Sequence, residues 1–448
     1  MWRFGVRLSK KTLYGCCVVT ATCFTVVLLL YATKRVTVTK PLATGGRDDR
    51  GTPGVRHWWL RPVVGRGMTY ATSPYNADNK RELTAPADSS SGVKVISWQA
   101  ARSLRVLSTT SDMFAQCPVS ACRVSPSSKS TQGAAAVVFD DGKMAKQTPP
   151  MLRADRVLVY YNMRPPGEAT FRAKGDLFAR YWTAAVTWVW SYRLDSDIFQ
   201  PFAYIAKTSQ PGKLKSVEDG VRKKGKVAVW INPKVSRRAD GLEDIDKNFH
   251  TGRSLTGVEE YLKEFKKELA FDTMDMIDLQ AAMDPTPAER ARRGFTLSKY
   301  YFVLAFEWVA CRDYVTDLLF ATFDPRVQAV PVVRGGFNYT QHLPPDTYIN
   351  ADLFDGPREL ARYLDDLASD SKAYSKLLWR KGQYSRQDGL QHAWCQLCDM
   401  LHRAPRDAHL NDRYDDVQAW FTQGASCTST NTTDTTTVVT SDAAVTQQ

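Results

Sequence analysis

Acidic, basic and phenolic side chains crowd behind one apolar run in the middle of the chain. The run YYFVLAF has the composition of a buried β-strand, and the residues that follow it include Glu307, Arg312, Asp313, Tyr314 and Asp317. In α/β proteins, ligands bind beyond the carboxyl ends of parallel strands, where polar turns lead into helices. The spacing therefore predicts a ligand site directly after this strand.

A second polar turn follows the apolar run AVPVV. Gly335 and Gly336 come after this run, and a backbone without side chains can approach a phosphate group closely. A plain turn is the alternative for the two glycines. For Asp317 the alternative is an acid in the first turn of a helix, which the helix dipole favours.

Two carboxylates, Asp195 and Asp197, are separated by one serine. Such a pair can hold a divalent ion beside a sugar-nucleotide diphosphate, so a metal-binding DxD motif of a GT-A enzyme is one interpretation. The string is short and arises often by chance.

The elements around these residues alternate between strands and helices. KVAVWIN, YYFVLAF and AVPVV read as strands, and the runs between and after them have helical spacing. Alternation over residues 226–380 predicts a parallel sheet, and residues 156–225 read as the remainder of an earlier α/β unit.

Length and charge limit the class of protein. The chain has 448 residues, enough for two or three domains, and a formal net charge of +13. A basic balance is compatible with nucleic-acid binding. No helix-turn-helix, zinc-finger or RNP-like run supports that function, so an anionic small ligand or a basic tether fits better.

Residues 13–32 form an uncharged, mostly apolar stretch of about 20 residues, enough to cross a bilayer as one helix. A cleaved signal peptide is the alternative, but its apolar part would be shorter and a small-residue cleavage site should follow. The stretch is interpreted as an uncleaved signal anchor with a cytosolic amino terminus. The rest of the chain would then be luminal.

A luminal chain would favour disulfides. Six cysteines follow the apolar stretch, and their even number suits pairing in an oxidising compartment. They are Cys117, Cys122, Cys311, Cys395, Cys398 and Cys427. His392 and His402 flank the C-x-x-C pair, so zinc is an alternative there. Asn338 and Asn431 begin glycosylation sequons.

Four stretches resemble motifs of the α1,3-fucosyltransferases, glycosyltransferase family 10. WVWSYRLDSDIFQPFAY resembles WTMSYRxDSDIxxPYG, and the opening stretch resembles FxLAFENSxxxDYITEKLWxN. AVPVVRGGFNYTQHLPPDTYINADLF resembles AVPVVxGxxxYxxxLPPxSFIxxxDF, and WCQLCDMLH resembles the cysteine pair of the core-type members. The resemblance covers residues 155–403 in the family's order, and the chain is identified as a divergent member.

The resemblance implies an α/β fold of the GT-B type, with two Rossmann-like domains facing a cleft, preceded by a transmembrane helix and a flexible stem. It implies transfer of fucose from GDP-fucose to O3 of a GlcNAc in glycoprotein N-glycans, with inversion. No cofactor would be required, and a divalent cation would at most stimulate. The implied partners are GDP-fucose, the glycan acceptor and the Golgi membrane, and no nucleic acid is expected. In that membrane the protein would be a single-pass type II protein.

The resemblance also implies roles for single residues. Glu307 and Asp317 would hold fucose and stabilise the transition state. The donor-binding candidates are Tyr314, Arg237, Arg238, Arg312, Arg334, Gly335 and Gly336. Structural or acceptor-side support is assigned to Tyr192, Arg193 and Asp195.

Two residues depart from the family's pattern. Trp308 stands where the family has Asn, and Leu318 stands where it has a diphosphate-binding Lys. The loss of that cation should weaken stabilisation of the GDP leaving group, and Arg312 or Arg334 would be the compensating cation. For Arg237 and Arg238 a solvated basic turn is the alternative.

The general base that the family implies would take the proton from the acceptor hydroxyl as its oxygen attacks C1 of fucose. Arg164 stands near the position of the family's Glu, and Glu168 follows four residues later. Glu168 is therefore the candidate base, and a plain surface acid is the alternative. A non-catalytic homologue that binds glycans or regulates, and a transferase with an altered donor or acceptor, are the rival functions.

The predicted domains follow from these assignments. They are a cytosolic tail at 1–12, the anchor at 13–32, a stem and linker at 33–150, an amino-terminal acceptor-side domain at 151–225, a carboxyl-terminal GDP-fucose-binding domain at 226–420, and a disordered Ser/Thr-rich tail at 421–448.

Overall fold

The fold is described from a computed structural model of the chain. It describes residues 55–56, 69–79, 83, 92–99, 113–125, 131, 133–140, 144, 148–150, 156–166, 181–232, 257–275, 297–388, 390–405, 407, 410 and 412–427.

Strands and helices alternate along most of this region. The strands are β1 Val55–Arg56, β2 Lys94–Trp98, β3 Cys122–Ser125, β4 Ala136–Asp140, β5 Val157–Asn162, β6 Trp188–Ser191, β7 Ile198–Phe199, β8 Ala203–Lys207, β9 Lys226–Asn232, β10 Phe271–Asp275, β11 Tyr300–Phe306, β12 Val330–Arg334, β13 Ile349–Asn350, β14 Tyr384–Asp388 and β15 Arg413–Tyr414. The α-helices are α1 Leu214–Val221, α2 Val258–Glu268, α3 Asp317–Ala321, α4 Tyr339–His342, α5 Pro357–Ser369, α6 Ser371–Lys381, α7 Leu390–Arg403 and α8 Val417–Thr422.

Two parallel sheets organise the described residues. One has six strands in the order β3-β2-β4-β5-β6-β7, and the other has five in the order β10-β9-β11-β12-β13. All of their pairings are parallel. Their central strands read as nearly continuous apolar runs, as expected when helices cover both faces of a sheet. The α/β class and the parallel sheet predicted for residues 226–380 are confirmed.

The predicted stem at 33–150 is wrong for the parts that the structure describes. Strands β2, β3 and β4 lie inside that range and form half of the six-stranded sheet. Ile96, Val137 and Val138 are fully buried. Each strand is short and flanked by Ser, Gly or Thr, so no periodic pattern extends far enough to be recognised. β4 pairs with β5, and residues of β2, β3 and β4 lie in one apolar cluster with α7, so tertiary packing stabilises these strands.

The predicted boundaries at 151, 226 and 420 also change. The first sheet begins at Lys94, and α7 packs its Trp394 against Trp98 and Trp190 of that sheet. The chain therefore returns to the first sheet after β14, which pairs antiparallel with β8. Helix α8 and Cys427 extend the ordered part beyond residue 421.

Three disulfides join the six predicted cysteines. The pairs are Cys117–Cys395, Cys122–Cys398 and Cys311–Cys427. The first two attach α7 to the six-stranded sheet across 278 and 276 residues of chain, so they restrict the unfolded chain strongly. His402 lies beside Cys122 and Cys398, but these sulfurs are bonded to each other and offer no thiolate for zinc.

The predicted anchor at residues 13–32 lies outside the described residues, and the Ser/Thr-rich tail from residue 428 does too. Within the described part of the chain, no helix combines the length and the apolar composition needed to cross a membrane.

Candidate functional site

The turns that follow β6 and β11 meet through one carboxylate. Asp195 accepts hydrogen bonds from Arg193 at 3.0 and 2.7 Å. It also accepts one from Nη2 of Arg312 at 2.8 Å. One of these arginines follows a strand of the six-stranded sheet, and the other follows a strand of the five-stranded sheet. The carboxyl ends of the two sheets therefore face a common region, as the sequence predicts for a ligand site.

Arg193 is a structural cation. Its side chain is 1% exposed, and its guanidinium lies 3.9 Å from the centre of the Trp420 ring while donating to the Trp420 carbonyl. A Cβ on Gly424 would sit 2.7 Å from Nη2 of Arg193, which explains the glycine there. Burial lowers the pKa of Arg193 and the charge of Asp195 opposes that shift. The structure shows Arg193 buried and bound on all sides by protein groups, and its role in structural or acceptor-side support stays a prediction.

Asp313 forms a second link between the two turns. Its carboxylate accepts the backbone N–H of Leu194 at 3.2 Å. Burial raises the pKa of this carboxyl, while Arg312 and that hydrogen bond lower it. The backbone φ of Asp313 is +63°, a conformation that non-glycine residues adopt only where the surrounding structure holds them.

Tyr192 and Tyr314 pack against each other between the two turns. Their rings meet edge to face with centroids 5.2 Å apart, and both side chains are buried. Burial raises the pKa of Tyr192 far above its usual value. Tyr314, predicted to contact nucleotide, lies in the packed base of the site.

The metal-binding interpretation of the DxD string does not fit the structure. Asp197 accepts the backbone N–H of Val189 and the hydroxyl of Tyr414, both at 2.8 Å. Asp195 is engaged by its two arginines. Both carboxylates are thus held by protein groups rather than directed together at an ion.

Glu307 directly follows strand β11 and holds the start of α3. Its carboxylate accepts the backbone N–H of Thr316 at 2.8 Å and the Thr316 hydroxyl at 3.0 Å. The side chain is 2% exposed, and burial raises its pKa to about 7 against the hydrogen bonds from Thr316. Asp317 adds to the rise. Glu307 therefore positions Thr316 and, through it, the adjacent residue Asp317, which is a predicted fucose ligand.

Asp317 lies at the first position of α3, behind the Thr316 cap. Nη2 of Arg386, on β14, approaches its carboxylate at 3.0 Å, and both side chains are about one third exposed. Leu318 is buried in an apolar cluster with Val229 and Val303, so the family's lysine would be buried at this position. The cation beside Asp317 is Arg386, which the sequence-based prediction missed.

Arg334 ends the neighbouring strand β12. It lies over the Tyr261 ring at 4.7 Å and approaches Asp352 at 3.4 Å. Its side chain is 17% exposed at the carboxyl edge of the sheet. Both cations predicted to compensate for Leu318 are ion-paired, Arg312 with Asp195 and Arg334 with Asp352. Arg386 is likewise paired with Asp317.

Close packing explains the two glycines that follow β12. A Cβ on Gly336 would lie 2.4 Å from the carbonyl oxygen of Cys311, in the backbone of the opposing turn. A Cβ on Gly335 would lie 2.9 Å from the Tyr339 hydroxyl and 3.0 Å from Cβ of Glu307. The absence of side chains thus lets the turns after β11 and β12 approach each other.

Several predicted residues cannot be placed. Glu168, Arg237, Arg238 and Asn431 lie outside the described residues.

Asn338 is exposed and caps α4 by accepting the backbone N–H of Gln341. Trp308, which departs from the family's pattern, is buried in the largest apolar cluster.

Thr316, Arg386, Tyr261 and Asp352 are site residues that the sequence analysis missed. A threonine before the acid of a predicted helix is a capping signal and indicates Thr316. Nothing in the local pattern around Arg386, Tyr261 or Asp352 indicates the site, because each reaches it through the tertiary fold.

Comparisons with known proteins agree with the motif resemblance. Residues 249–420 match the family model for glycosyltransferase family 10 (fucosyltransferase), C-terminal part. Alpha-(1,3)-fucosyltransferase C of Drosophila melanogaster is 27% identical over 68% of this chain and 70% of its own length. A human 3-galactosyl-N-acetylglucosaminide 4-alpha-L-fucosyltransferase is 27% identical over 59% of this chain and 63% of its own length.

A solved α1,3-fucosyltransferase with GDP-fucose covers 69% of this chain and 88% of its own, with 10% identity and a TM-score of 0.41. The matched part of the chain covers about two thirds of the length of the fly and human relatives. Residues 249–420 thus match the carboxyl-terminal part of glycosyltransferase family 10, the fucosyltransferases, and the chain is similar to the two named fucosyltransferases over 68% and 59% of its length.

Proposed function

We propose that this chain transfers L-fucose from GDP-fucose to O3 of a GlcNAc in glycoprotein N-glycans, with inversion at C1. The observation that carries the proposal is the meeting of the turns after β6 and β11 through Asp195 and Arg312. Two further cations pair with acids that follow strands of the five-stranded sheet: Arg334 pairs with Asp352, and Arg386 of β14 pairs with Asp317. A diphosphate needs such positive charge as its bond to sugar breaks.

The donor occupies the edge formed by β11 and β12 in this proposal. Arg334 and Arg386 face the diphosphate, and Asp317 faces the hydroxyl groups of fucose. Glu307 keeps Asp317 in place through Thr316. The acceptor O3 attacks C1 of fucose, the bond from C1 to the β-phosphate oxygen breaks, and GDP leaves with the electron pair.

Glu168 takes the acceptor proton in the same proposal. Arg237 or Arg238 supplies a further donor contact. These three assignments rest on the motif resemblance alone, and no metal ion enters the reaction. The relevant test for the base is Glu168→Gln, which should abolish transfer while GDP still binds.

The architecture of this proposal is GT-B. The two parallel sheets are the two Rossmann-like units, and they face each other across the cleft between their carboxyl edges. Residues 13–32 anchor the protein in the Golgi membrane as a type II protein. The three disulfides support a luminal location, because disulfides persist in oxidising compartments.

The acceptor is either the asparagine-linked GlcNAc or a GlcNAc of the antennae. The name of the fly protein gives an α1,3 linkage and no acceptor, whereas that of the human protein gives an α1,4 linkage to a 3-galactosyl-N-acetylglucosaminide. The motif WCQLCDMLH favours the core-type acceptor by resemblance.

The function is tested with the full-length protein, GDP-fucose and a panel of N-glycans that carry or lack antennal GlcNAc. Each acceptor is analysed by mass spectrometry for one added deoxyhexose, and the product linkage is then determined. Addition at O3 of a GlcNAc supports the proposal. A folded protein that binds GDP but modifies none of these acceptors indicates another acceptor. One that neither binds GDP nor forms product contradicts the proposal and favours the non-catalytic homologue.

A further inference from the structure

A segment near the amino end of the described residues packs directly behind the site. Residues 69–79, here called the 69–79 segment, lie in the range predicted as stem. The backbone of Tyr75 accepts the N–H of Ile205 at 2.9 Å, and Asn76 forms a parallel bridge with Ile205 of β8. The Tyr70 hydroxyl donates to the carbonyl of Ile205 at 3.0 Å. The segment is thus bound to Ile205 of β8 by a backbone bridge and by one side-chain hydroxyl.

Tyr75 is the most buried aromatic residue of this segment, with 1% of its surface exposed. Its ring contacts Phe199 on β7, Phe320 on α3 and Phe337 after β12, with centroids 5.3, 6.1 and 4.9 Å away. One side chain therefore packs against elements that belong to both parallel sheets. A buried aromatic of this size contributes a large part of the local packing energy.

Ser73 and His342 add a polar contact to this packing. The Ser73 hydroxyl lies 2.9 Å from Nδ1 of His342, and both residues are buried. The Tyr75 N–H donates to the same hydroxyl at 3.1 Å. A serine and histidine pair can form a nucleophile, but here burial closes it off and it serves to attach the segment to α4.

The hydroxyl of Tyr75 reaches the site itself. It donates to the backbone carbonyl of Asp313 at 3.4 Å, next to Arg312 and Tyr314. Asp313 has a left-handed backbone, with a φ of +63°, and its neighbours hold it in this conformation. Leu194 holds its carboxylate from the six-stranded side, and Tyr75 holds its carbonyl from behind.

We infer that Tyr75 is a positioning residue for fucosyl transfer. Through its hydroxyl it holds the Asp313 turn, and so it sets the place of Arg312 and Asp195 at the junction of the two sheets. This inference rests on the proposed function for its catalytic consequence. The 69–79 segment accordingly belongs to the catalytic unit, and a fragment that starts after residue 79 lacks a part of the site.

The test compares Tyr75→Phe with Tyr70→Phe in the full-length protein. Both variants lose one hydroxyl of the same segment and keep the ring, but the Tyr70 hydroxyl bonds Ile205 and not the site turn. Because a hydrogen bond contributes about 0.5–1.5 kcal/mol, Tyr75→Phe should lower kcat by about twofold to tenfold. KM for GDP-fucose and the Tm should change little, and Tyr70→Phe should keep the wild-type kcat.

Hydrogen exchange of residues 312–317 is the second readout and needs no activity. It should be faster in Tyr75→Phe than in the wild type and unchanged in Tyr70→Phe. An unchanged kcat together with unchanged exchange overturns the inference, and equal loss of Tm and kcat in both variants overturns it as well. A wild-type protein without transfer activity contradicts the proposed function, and the exchange result still decides whether Tyr75 positions the turn.

Discussion

Asp195 and Arg312 join the two parallel sheets at their carboxyl edges, 2.8 Å apart and 117 residues apart in the chain. Asp195 binds the buried Arg193 at the same time, so a single carboxylate pairs with two guanidinium groups. Such a shared charge fixes the relative position of the two turns more firmly than apolar contact does, because its hydrogen bonds are directional.

Asp195→Asn should therefore destabilise the protein strongly. It leaves Arg193 buried without a carboxylate, and loss of one partner of a buried ion pair costs about 3–5 kcal/mol of unfolding free energy. Denaturant unfolding measures the change. Asp346→Asn is the control, because Asp346 pairs with Arg380 at the surface and exposed pairs contribute at most about 1 kcal/mol. Similar small losses in both variants would show that Asp195 is not a structural junction.

Glu307 should make stability depend on pH. Its pKa is raised from 4.5 to about 7, so the folded protein binds an extra proton between these values. The stabilisation is complete below pH 4.5 and is lost as pH rises through about 7, by about 3 kcal/mol at most. Asp317 and Tyr339 are the titratable neighbours of this carboxyl.

The comparison is with Glu307→Gln, which cannot titrate. Urea unfolding at several pH values between 4.5 and 7 gives the unfolding free energy of both proteins. As pH rises, the wild type should lose stability steadily relative to Glu307→Gln. A pH-independent difference would mean that Glu307 keeps an ordinary pKa.

Arg386 is expected to act on the donor's negative charge. Arg386→Gln leaves Asp317 without its cation, so the donor diphosphate meets a nearby uncompensated carboxylate. KM for GDP-fucose should rise by about tenfold to a hundredfold, since a hydrogen bond to a charged group contributes about 1.5–3 kcal/mol. Arg386→Lys keeps the positive charge, so its KM for GDP-fucose should rise less than that of Arg386→Gln.

Arg222→Gln is the matched control for Arg386. Arg222 pairs with Asp219 on the exposed face of α1, with a 3.7 Å separation. Steady-state kinetics give KM for GDP-fucose in all three variants, and Arg222→Gln should keep the wild-type value. If Arg386→Gln keeps the wild-type KM, another group must neutralise the diphosphate.

Gly336→Ala should disrupt the approach of the two donor-side turns. Its Cβ would lie 2.4 Å from the Cys311 carbonyl oxygen and 2.6 Å from the Ala310 carbonyl carbon, and backbone atoms cannot move aside cheaply. Loss of activity and a lower Tm are expected. Gly220→Ala is the control: its Cβ meets nothing within 4 Å, and helix α1 should gain about 1 kcal/mol from alanine. A Gly336→Ala protein with wild-type Tm would show that the turns can separate.

The three central strands of the second sheet could be predicted from the sequence, and much of the first sheet could not. β9 and β11 are apolar runs of seven residues and β12 is a nearly uninterrupted apolar run, each followed by a polar turn, so local pattern alone identifies them. β2, β3 and β4 are five residues or shorter, and their burial depends on β5 and α7. No local pattern of the chain indicates that dependence.

The candidate site divides in the same way. Glu307, Arg312, Asp313 and Asp317 follow one strand, so sequence order alone predicts that they lie together. Arg386 and Tyr75 come from distant parts of the chain, through an antiparallel pairing of β14 with β8 and a buried amino-terminal segment. The pairing of the cysteines also depends on the tertiary fold. Their even number predicts that they pair, but the partners depend on which elements α7 packs against.

The central claim is that GDP-fucose binds at the carboxyl edge of β11 and β12. Hydrogen exchange of the full-length protein with and without saturating GDP tests it most directly. The account predicts slower exchange in residues 312–317 and 334–339 with GDP bound, and no change in α1. Protection confined to other parts of the chain, or no protection by GDP at all, would contradict it.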